Sequence, residues 1–212
     1  MAKKNKTPMS RGTVIVISAP SGSGKSTLIK RLMAHSPGLC FSVSYTTRAP
    51  RATEKNGRDY FFVSRRVFKS MVARGEFVEW ADVYGHLYGT AHKQLLAAQE
   101  AGLDILLDID VQGHQQVRKR LPEAVSIFIL PPSFQELSRR LCDRHSDTPE
   151  DIERRLQTAR KEISHWPEYE YLVVNDHLKD AVQALRAIVR AARFRRPSQA
   201  KRAEKIIESF GG

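Results

Sequence analysis

Residues 13–34 constrain what this chain can fold into more than any other stretch. Thr13–Ser18 (TVIVIS) is short, β-branched and continuously apolar, which predicts a strand buried on both faces. After it come Ala19-Pro20-Ser21-Gly22-Ser23-Gly24-Lys25-Ser26, then Leu28, Ile29, Leu32 and Met33 at helical spacing. The eight residues are the phosphate-loop pattern in its proper strand-to-helix setting, with Ala19 where the strict motif has glycine. Gly22 and Gly24 allow the backbone to turn several N–H groups inward, and the helix N-terminus adds its own donors. In that cradle Lys25 is expected to reach the β- and γ-phosphates of a nucleoside triphosphate. Ser26 is expected to hold Mg²⁺, and Thr27 completes the segment. The bland alternative is an ordinary glycine-rich turn between strand and helix. A lone GxGK would leave that open; the complete pattern favours the phosphate loop. The methyl of Ala19 must fit a turn that glycine fits more easily.

Further strands are predicted at Phe41–Tyr45, Tyr60–Val63, Glu76–Tyr84, Leu103–Ile109, Val125–Leu130 and Tyr171–Val174. Helices are predicted from a Ser64 cap to Ala73, from a Thr90 cap to about Gly102, and from the Ser133/Glu136 capping box to about Arg144. Two more begin at Thr148-Pro149 and span Asp180–Phe194. Gly85 and Gly89 read as a turn, and 46–58 as loop. Alternating strands and helices imply an α/β fold: a parallel sheet with helices on both faces, an inserted small sheet over 45–95 and a helical pair over 133–165. Both insertions belong at the carboxyl ends of the strands, where open α/β sheets bind ligands.

Composition narrows the class. No apolar run approaches the roughly 18 residues of a membrane helix, and the basic N-terminus lacks a signal-peptide pattern. Cys40 and Cys142 are far apart without metal-ligand spacing, so a reducing cytosol is the expected location. The net charge of +12 lies mostly at the ends. Lys3, Lys4, Lys6 and Arg11 face no acid at one end. Eight basic residues face only Glu204 and Glu208 over 186–212. Such tails, where fraying is common, suggest at most nonspecific contact with nucleic acid. The seven histidines are scattered and are expected at the surface.

Residues 42–62 (SVSYTTRAPRATEKNGRDYFF), Glu79-Trp80, Tyr88-Gly89-Thr90 and Asp108-Ile109-Asp110-Val111-Gln112-Gly113 together resemble guanylate kinase, in order and spacing, over about 12–192. The resemblance implies a phosphate-loop nucleoside monophosphate kinase that moves the γ-phosphoryl of MgATP to GMP. Its core would be 12–44, 94–132 and 166–192, its GMP-binding insertion 45–93 and its lid 133–165, with basic tails at 1–11 and 193–212. It places Arg48, Arg51, Tyr60 and Tyr88 on the GMP phosphate, where planar guanidinium forks match phosphate oxygens. It places Glu79, Ser44 and Thr90 on the guanine; a carboxylate accepts both N–H groups of the guanine edge and mismatches adenine. Asp108 and Asp110 fall near Mg²⁺ or the acceptor, and a strand-terminal Asp also suits a helix cap. Arg140, Arg144 and Arg155 are implied as lid residues closing on the triphosphate, and Asn175 as a neighbour of the adenine. Taken alone, the arginine-rich loop reads as solvated surface, Glu79 as the exposed face of a strand and the tyrosines as core-edge residues. A kinase of another monophosphate or sugar phosphate, a guanylate-kinase-like binding module and a nucleic-acid binder are the rival readings. The intact Lys25-Ser26 pair and the Arg48/Arg51/Tyr60/Glu79 set speak against them. Use of dGMP and assembly into a homo-oligomer stay open.

Overall fold

The computed structural model describes residues 12–143 and 148–210; the basic segment 1–11 and the expected lid residue Arg144 lie outside them. The chain runs β1 (Val14–Ser18), α1 (Lys25–Ala34), β2 (Leu39–Phe41), β3 (Tyr45–Thr46), β4 (Phe61–Phe62), α2 (Arg65–Ala73), β5 (Phe77–Val83) and β6 (His86–Ala91). It continues with α3 (His92–Glu100), β7 (Asp104–Asp108), α4 (Val111–Arg120), β8 (Val125–Leu130), α5 (Phe134–Cys142) and α6 (Pro149–Ile163). β9 (Tyr171–Val174), α7 (Leu178–Ala192) and α8 (Arg196–Glu208) complete it.

Five strands form an all-parallel sheet in the order β2-β7-β1-β8-β9. Its two faces bury different clusters, which is why β1 is apolar throughout. Ile15 and Ile17 pack with Leu28 and Leu32 of α1 and with Leu185 of α7; Val14 and Val16 pack with Leu95 of α3 and Val117 of α4. The second sheet is mixed, in the order β4-β3-β6-β5. It closes its own core of Tyr45, Phe68, Met71, Phe77 and Leu87. The pair α5 and α6 holds together through Leu137, Leu141, Leu156 and Ala159.

Several predicted ends are met by the predicted chemistry. Ser64, Ser133 and Thr148 each accept a hydrogen bond from the backbone N–H three residues on, and Gly75 takes φ 66 after α2. Other expectations need correction. Phe41–Tyr45 is not one strand but the end of β2 and the start of β3, in different sheets. Only Gly85 of the two glycines turns the chain; Gly89 lies within β6, where a Cβ would meet Phe77 Cδ1 and Phe68 Cζ at 3.0 and 3.1 Å. Thr90 also lies in β6, so it caps nothing, and α3 begins after Ala91 without a side-chain cap. His114 is buried at 2% exposure and stacks on Tyr169 with centroids 3.8 Å apart, because it faces inward from α4. The basic end is helical: α8 buries no side chain of its own, yet Arg193 just before it donates to Asp104 Oδ2 at 2.6 Å and to the Pro37 carbonyl at 2.8 Å.

Candidate active site

The phosphate loop follows β1 at the carboxyl end of the parallel sheet. The Ser23 N–H closes a turn on the Pro20 carbonyl (3.2 Å), and Gly22 and Gly24 take φ of 89° and 87°. Gly24 is the N-cap of α1, which has no side-chain cap and no acid in its first turn, so the loop-facing amides stay available to an anion. Ala19 is buried, and Tyr84 is the sole non-glycine residue with positive φ among the described residues. The substitution at the head of the motif therefore costs no backbone strain.

Other elements brace this loop. Asn175, just after β9, donates from Nδ2 to the Ser23 carbonyl at 2.7 Å, and a Cβ on Gly24 would stand 2.4 Å from that nitrogen. Arg140 on α5 bonds Glu136 Oε1 (2.7 Å), the Asn175 carbonyl (3.2 Å) and the Ser23 carbonyl (3.4 Å). A Cβ on Gly22 would touch Leu137 and Leu141 at 3.0 Å, so α5 lies directly on the loop. Lys25 Nζ pairs with Asp108 Oδ1 at 2.6 Å. Ser26 and Thr27 are exposed on the first turn of α1. Glu162, at the end of α6, was not anticipated. Burial pushes its carboxyl up to about 7, while Lys25 and the Ser21 amide pull the other way. Its Oε2 is buried without a hydrogen-bond partner among the described residues.

Between loop and small sheet lies a cleft of about 280 Å³. Lys25, Ser26, Ser44, Tyr60, Glu79, Tyr88, Asp108 and Asp110 all line it, together with Ala81, Val83 and Ile109. Hollows of about 270 Å³ at the opposite sheet end and about 540 Å³ beside α7 gather none of these residues. Glu79 is 3% exposed, and burial pushes its carboxyl up to about 7; neighbouring Thr90 and, more weakly, Arg120 pull it down, whereas Asp110 pushes it further up. Thr90 is its cross-strand partner and is itself buried. Burial pushes Tyr60 up to about 12, so its hydroxyl remains a donor.

A second cavity of about 190 Å³ adjoins through Val83 and Tyr88 and is lined by Arg48, Arg51, Arg154 and Arg155. Arg48 lies 5.4 Å from the Tyr60 ring centroid, donates to Tyr88 Oη at 3.3 Å and pairs with Glu54 Oε1 at 2.8 Å. The other Glu54 oxygen accepts the Arg51 N–H at 2.8 Å, so one carboxylate folds the loop that carries both arginines. The Arg48 guanidinium, helped by the Arg51 amide, holds Glu54 below the usual carboxylate range. Glu54 was missed, although an acid three and six residues from two arginines was a usable signal. Asp110 caps α4: Oδ1 accepts the Gly113 N–H at 2.8 Å and Oδ2 the Gln112 amide at 3.2 Å. A Cβ on Gly113 would stand 2.5 Å from Glu79 Oε2, so the helix presses against the carboxylate.

A parallel sheet with an intact phosphate loop, a small sheet facing it across a cleft and an arginine-bearing helical pair define a phosphate-loop kinase of the nucleoside monophosphate class. Residues 11–192 match the guanylate kinase family model. A guanylate kinase of Koribacter versatilis is 56% identical over 190 residues, covering 88% of this chain and 82% of that one. One of Salmonella paratyphi A is 47% identical over 204 residues, covering 95% and 99%. The crystal structure of guanylate kinase from Anaplasma phagocytophilum superposes with a TM-score of 0.75 at 37% identity over 90% of each chain. The chain belongs to the guanylate kinase family, whose reaction is phosphoryl transfer from ATP to GMP.

Proposed function

We propose that this chain transfers the γ-phosphoryl group of MgATP to GMP by direct in-line displacement, giving ADP and GDP for purine nucleotide metabolism in the cytosol. The observation that carries this reading is the single cleft lined from one side by Lys25 and Ser26 and from the other by Glu79, Tyr60 and Tyr88. In this reading the working parts are a core (12–44, 94–132 and 166–192), a GMP-binding insertion (45–93) and a lid (133–165), with the ends as basic tails.

The loop amides of 19–24, with Lys25, Ser26 and Thr27, cradle the triphosphate. Lys25 leaves Asp108 for the phosphates, which leaves that carboxylate to the acceptor. Glu79 accepts the two N–H groups of the guanine edge, with Ser44 and Thr90 near its carbonyl; AMP offers no such pair, and a buried carboxylate left unpaired penalises it. Arg48, Arg51, Tyr60 and Tyr88 hold the GMP phosphate, and Arg155 reaches it from the lid. Arg140 and Asn175 set the loop from behind, and Asn175 serves ATP binding through the loop backbone it braces. A terminal GMP phosphate oxygen, with a second pKa of about 6, is already largely ionised at neutral pH, so no general base is needed. That oxygen bonds to the γ-phosphorus as the bond to the ADP oxygen breaks. The chain's part is alignment and charge neutralisation.

Magnesium would supply further neutralisation between the phosphates. The donors fit an ion held mostly by nucleotide: no cluster of three His, Cys, Asp or Glu suited to a metal occurs among the described residues, and Ser26 is exposed and lines the cleft. Ser26 would hold it directly. Asp110, with one oxygen capping α4 and the other bonded by the Gln112 side-chain amide, would act only through water.

Lys25→Ala tests the reading. Turnover should fall by at least about 10³-fold while the far-ultraviolet spectrum and melting temperature stay near those of the parent. Near-normal turnover would refute it.

A further inference from the structure

Glu79 sits at an irregularity in its own strand. Along β5, Phe77 pairs with Ala91 of β6, but Glu79 pairs with Thr90, so Val78 is an extra residue in the ladder. That residue decides which way Glu79 faces. Phe77, Ala91 and Leu87 belong to the core of the small sheet. On the other face, Ala81 pairs with Tyr88, and Glu79, Ala81, Val83 and Tyr88 line the cleft. In a regular strand Phe77 and Glu79, two residues apart, would share a face. Either Phe77 would leave its core or Glu79 would leave the cleft; the bulge at Val78 satisfies both.

A bulge leaves strand carbonyls without ladder partners. Here they are met from a different part of the fold. Arg120, the last residue of α4, donates from Nη1 to the Phe77 carbonyl at 2.9 Å and also to the Val78 carbonyl. One turn earlier, Gln116 accepts the Trp80 N–H at 3.2 Å and donates to the Trp80 carbonyl at 2.6 Å. One turn earlier again, Gly113 lies against the Glu79 carboxylate. Gly113, Gln116 and Arg120 therefore form one stripe of α4 that grips β5 on both sides of Glu79. The far end of that helix is fixed by Asp110, itself a wall of the cleft.

We propose that Arg120 is a positioning residue for base selection: by holding the Val78 bulge it aims the Glu79 carboxylate at the guanine edge. This rests on the reading that Glu79 meets the base. Arg120 touches neither substrate in this role. It acts through two main-chain carbonyls, and its positive charge also favours the ionised form of Glu79. The consequence falls on the acceptor base. The donor side, built on β1 and α1, does not depend on the bulge.

The test compares GMP with IMP, which keeps the ring N–H but lacks the exocyclic amine, as acceptors at saturating ATP. Arg120→Met keeps most of the stem and removes the donors. KM for GMP should rise on the order of tenfold, the worth of one misplaced charge-assisted hydrogen bond, and the preference for GMP over IMP should shrink by a similar factor. KM for ATP and kcat at saturating GMP should stay within about twofold. Arg120→Lys, which returns one donor, should recover part of the preference. If Arg120→Met fails to fold, Arg120→Gln and Gln116→Met are read in the same way. A purely structural role would lower the melting temperature and the active fraction while leaving the GMP-to-IMP ratio at the parent value. That ratio, unchanged in every folded variant, would overturn the proposal. Glu79→Gln run beside them separates the two layers. If it too leaves the ratio unchanged, the base-reading role of Glu79 fails; if it shifts the ratio while the Arg120 variants do not, only the role of Arg120 fails.

Discussion

Gly113→Ala separates stability from recognition at the site. Gly113 is the third residue of α4, and it is not among the glycines with positive φ, so alanine fits the backbone. Replacing a helical glycine by alanine favours the helix by up to about 1 kcal/mol. The added methyl carbon, however, would stand 2.5 Å from Glu79 Oε2, 3.2 Å from its Cδ and 3.3 Å from Ile109 Cβ. Ordinary contact requires the carboxylate to retreat by roughly 0.5–1 Å, and with α4 behind it the direction left is into the cleft. A carboxylate set to accept two N–H groups then loses at least one well-formed bond. A hydrogen bond to a charged group contributes about 1.5–3 kcal/mol, so kcat/KM for GMP should fall by about 10- to 150-fold. KM for ATP should hardly move, since the added methyl meets Glu79 and Ile109 and no residue of the loop 19–26. Steady-state kinetics with each substrate varied in turn, beside a thermal melt, reads both effects. A variant with parental GMP kinetics would refute the claim that Gly113 sets the position of Glu79. A variant that melts well below the parent would refute the claim that the glycine serves recognition rather than the helix.

The shifted carboxyls make two pH predictions. Recognition needs Glu79 ionised, and burial holds its pKa near 7, so KM for GMP should rise about tenfold from pH 8 to pH 6. Glu79→Gln should lose that part of the dependence and keep the part due to the GMP phosphate. For stability the sign is opposite. The folded pKa values of Glu79 and Glu162 are raised from 4.5 to about 7, so their stabilising contribution is complete below pH 4.5 and is lost as the pH rises through about 7. The ligand-free protein should lose stability over that interval, and Glu162→Gln should lose less of it in urea titrations. Arg193→Ala should cost about 1–2 kcal/mol in the same assay, with turnover unchanged. Among the described residues it leaves Asp104, 6% exposed, with the Thr13 N–H (2.8 Å) as its remaining hydrogen-bond partner. A parental denaturation midpoint would show that this link does not tie the end of α7 to the sheet.

The legible parts of this molecule are those whose physics is local. Val14–Ser18 is buried on both faces and reads so; Ser64, Ser133 and Thr148 cap with their own side chains; Gly22 and Gly24 have the φ values the motif needs. Lys25 was legible through the phosphate-loop motif and Tyr60, Glu79 and Tyr88 through a family pattern, and one cleft gathers them. What escaped depends on partners distant in sequence. The loose alternation of 76–84 is the bulge at Val78, held by a residue 42 positions later. Asp110 serves both cap and cleft wall, which spacing alone leaves ambiguous. Glu162 reaches the phosphate loop from the end of a helix whose exposed positions look like ordinary solvated charge. The basic C-terminal segment reads as a tail because no apolar stripe announces α8, which buries none of its side chains.

The central claim is that one cleft aligns a triphosphate donor with a guanine-bearing monophosphate. ADP release with ATP and each of GMP, AMP, CMP and UMP, supplied singly at equal concentration, tests it most directly. The account predicts turnover with GMP and rates at least about 10⁴-fold lower with the other three, since none of them gives Glu79 the pair of donors it is placed to receive. Comparable rates with AMP, or no ADP release with any of the four, would contradict it.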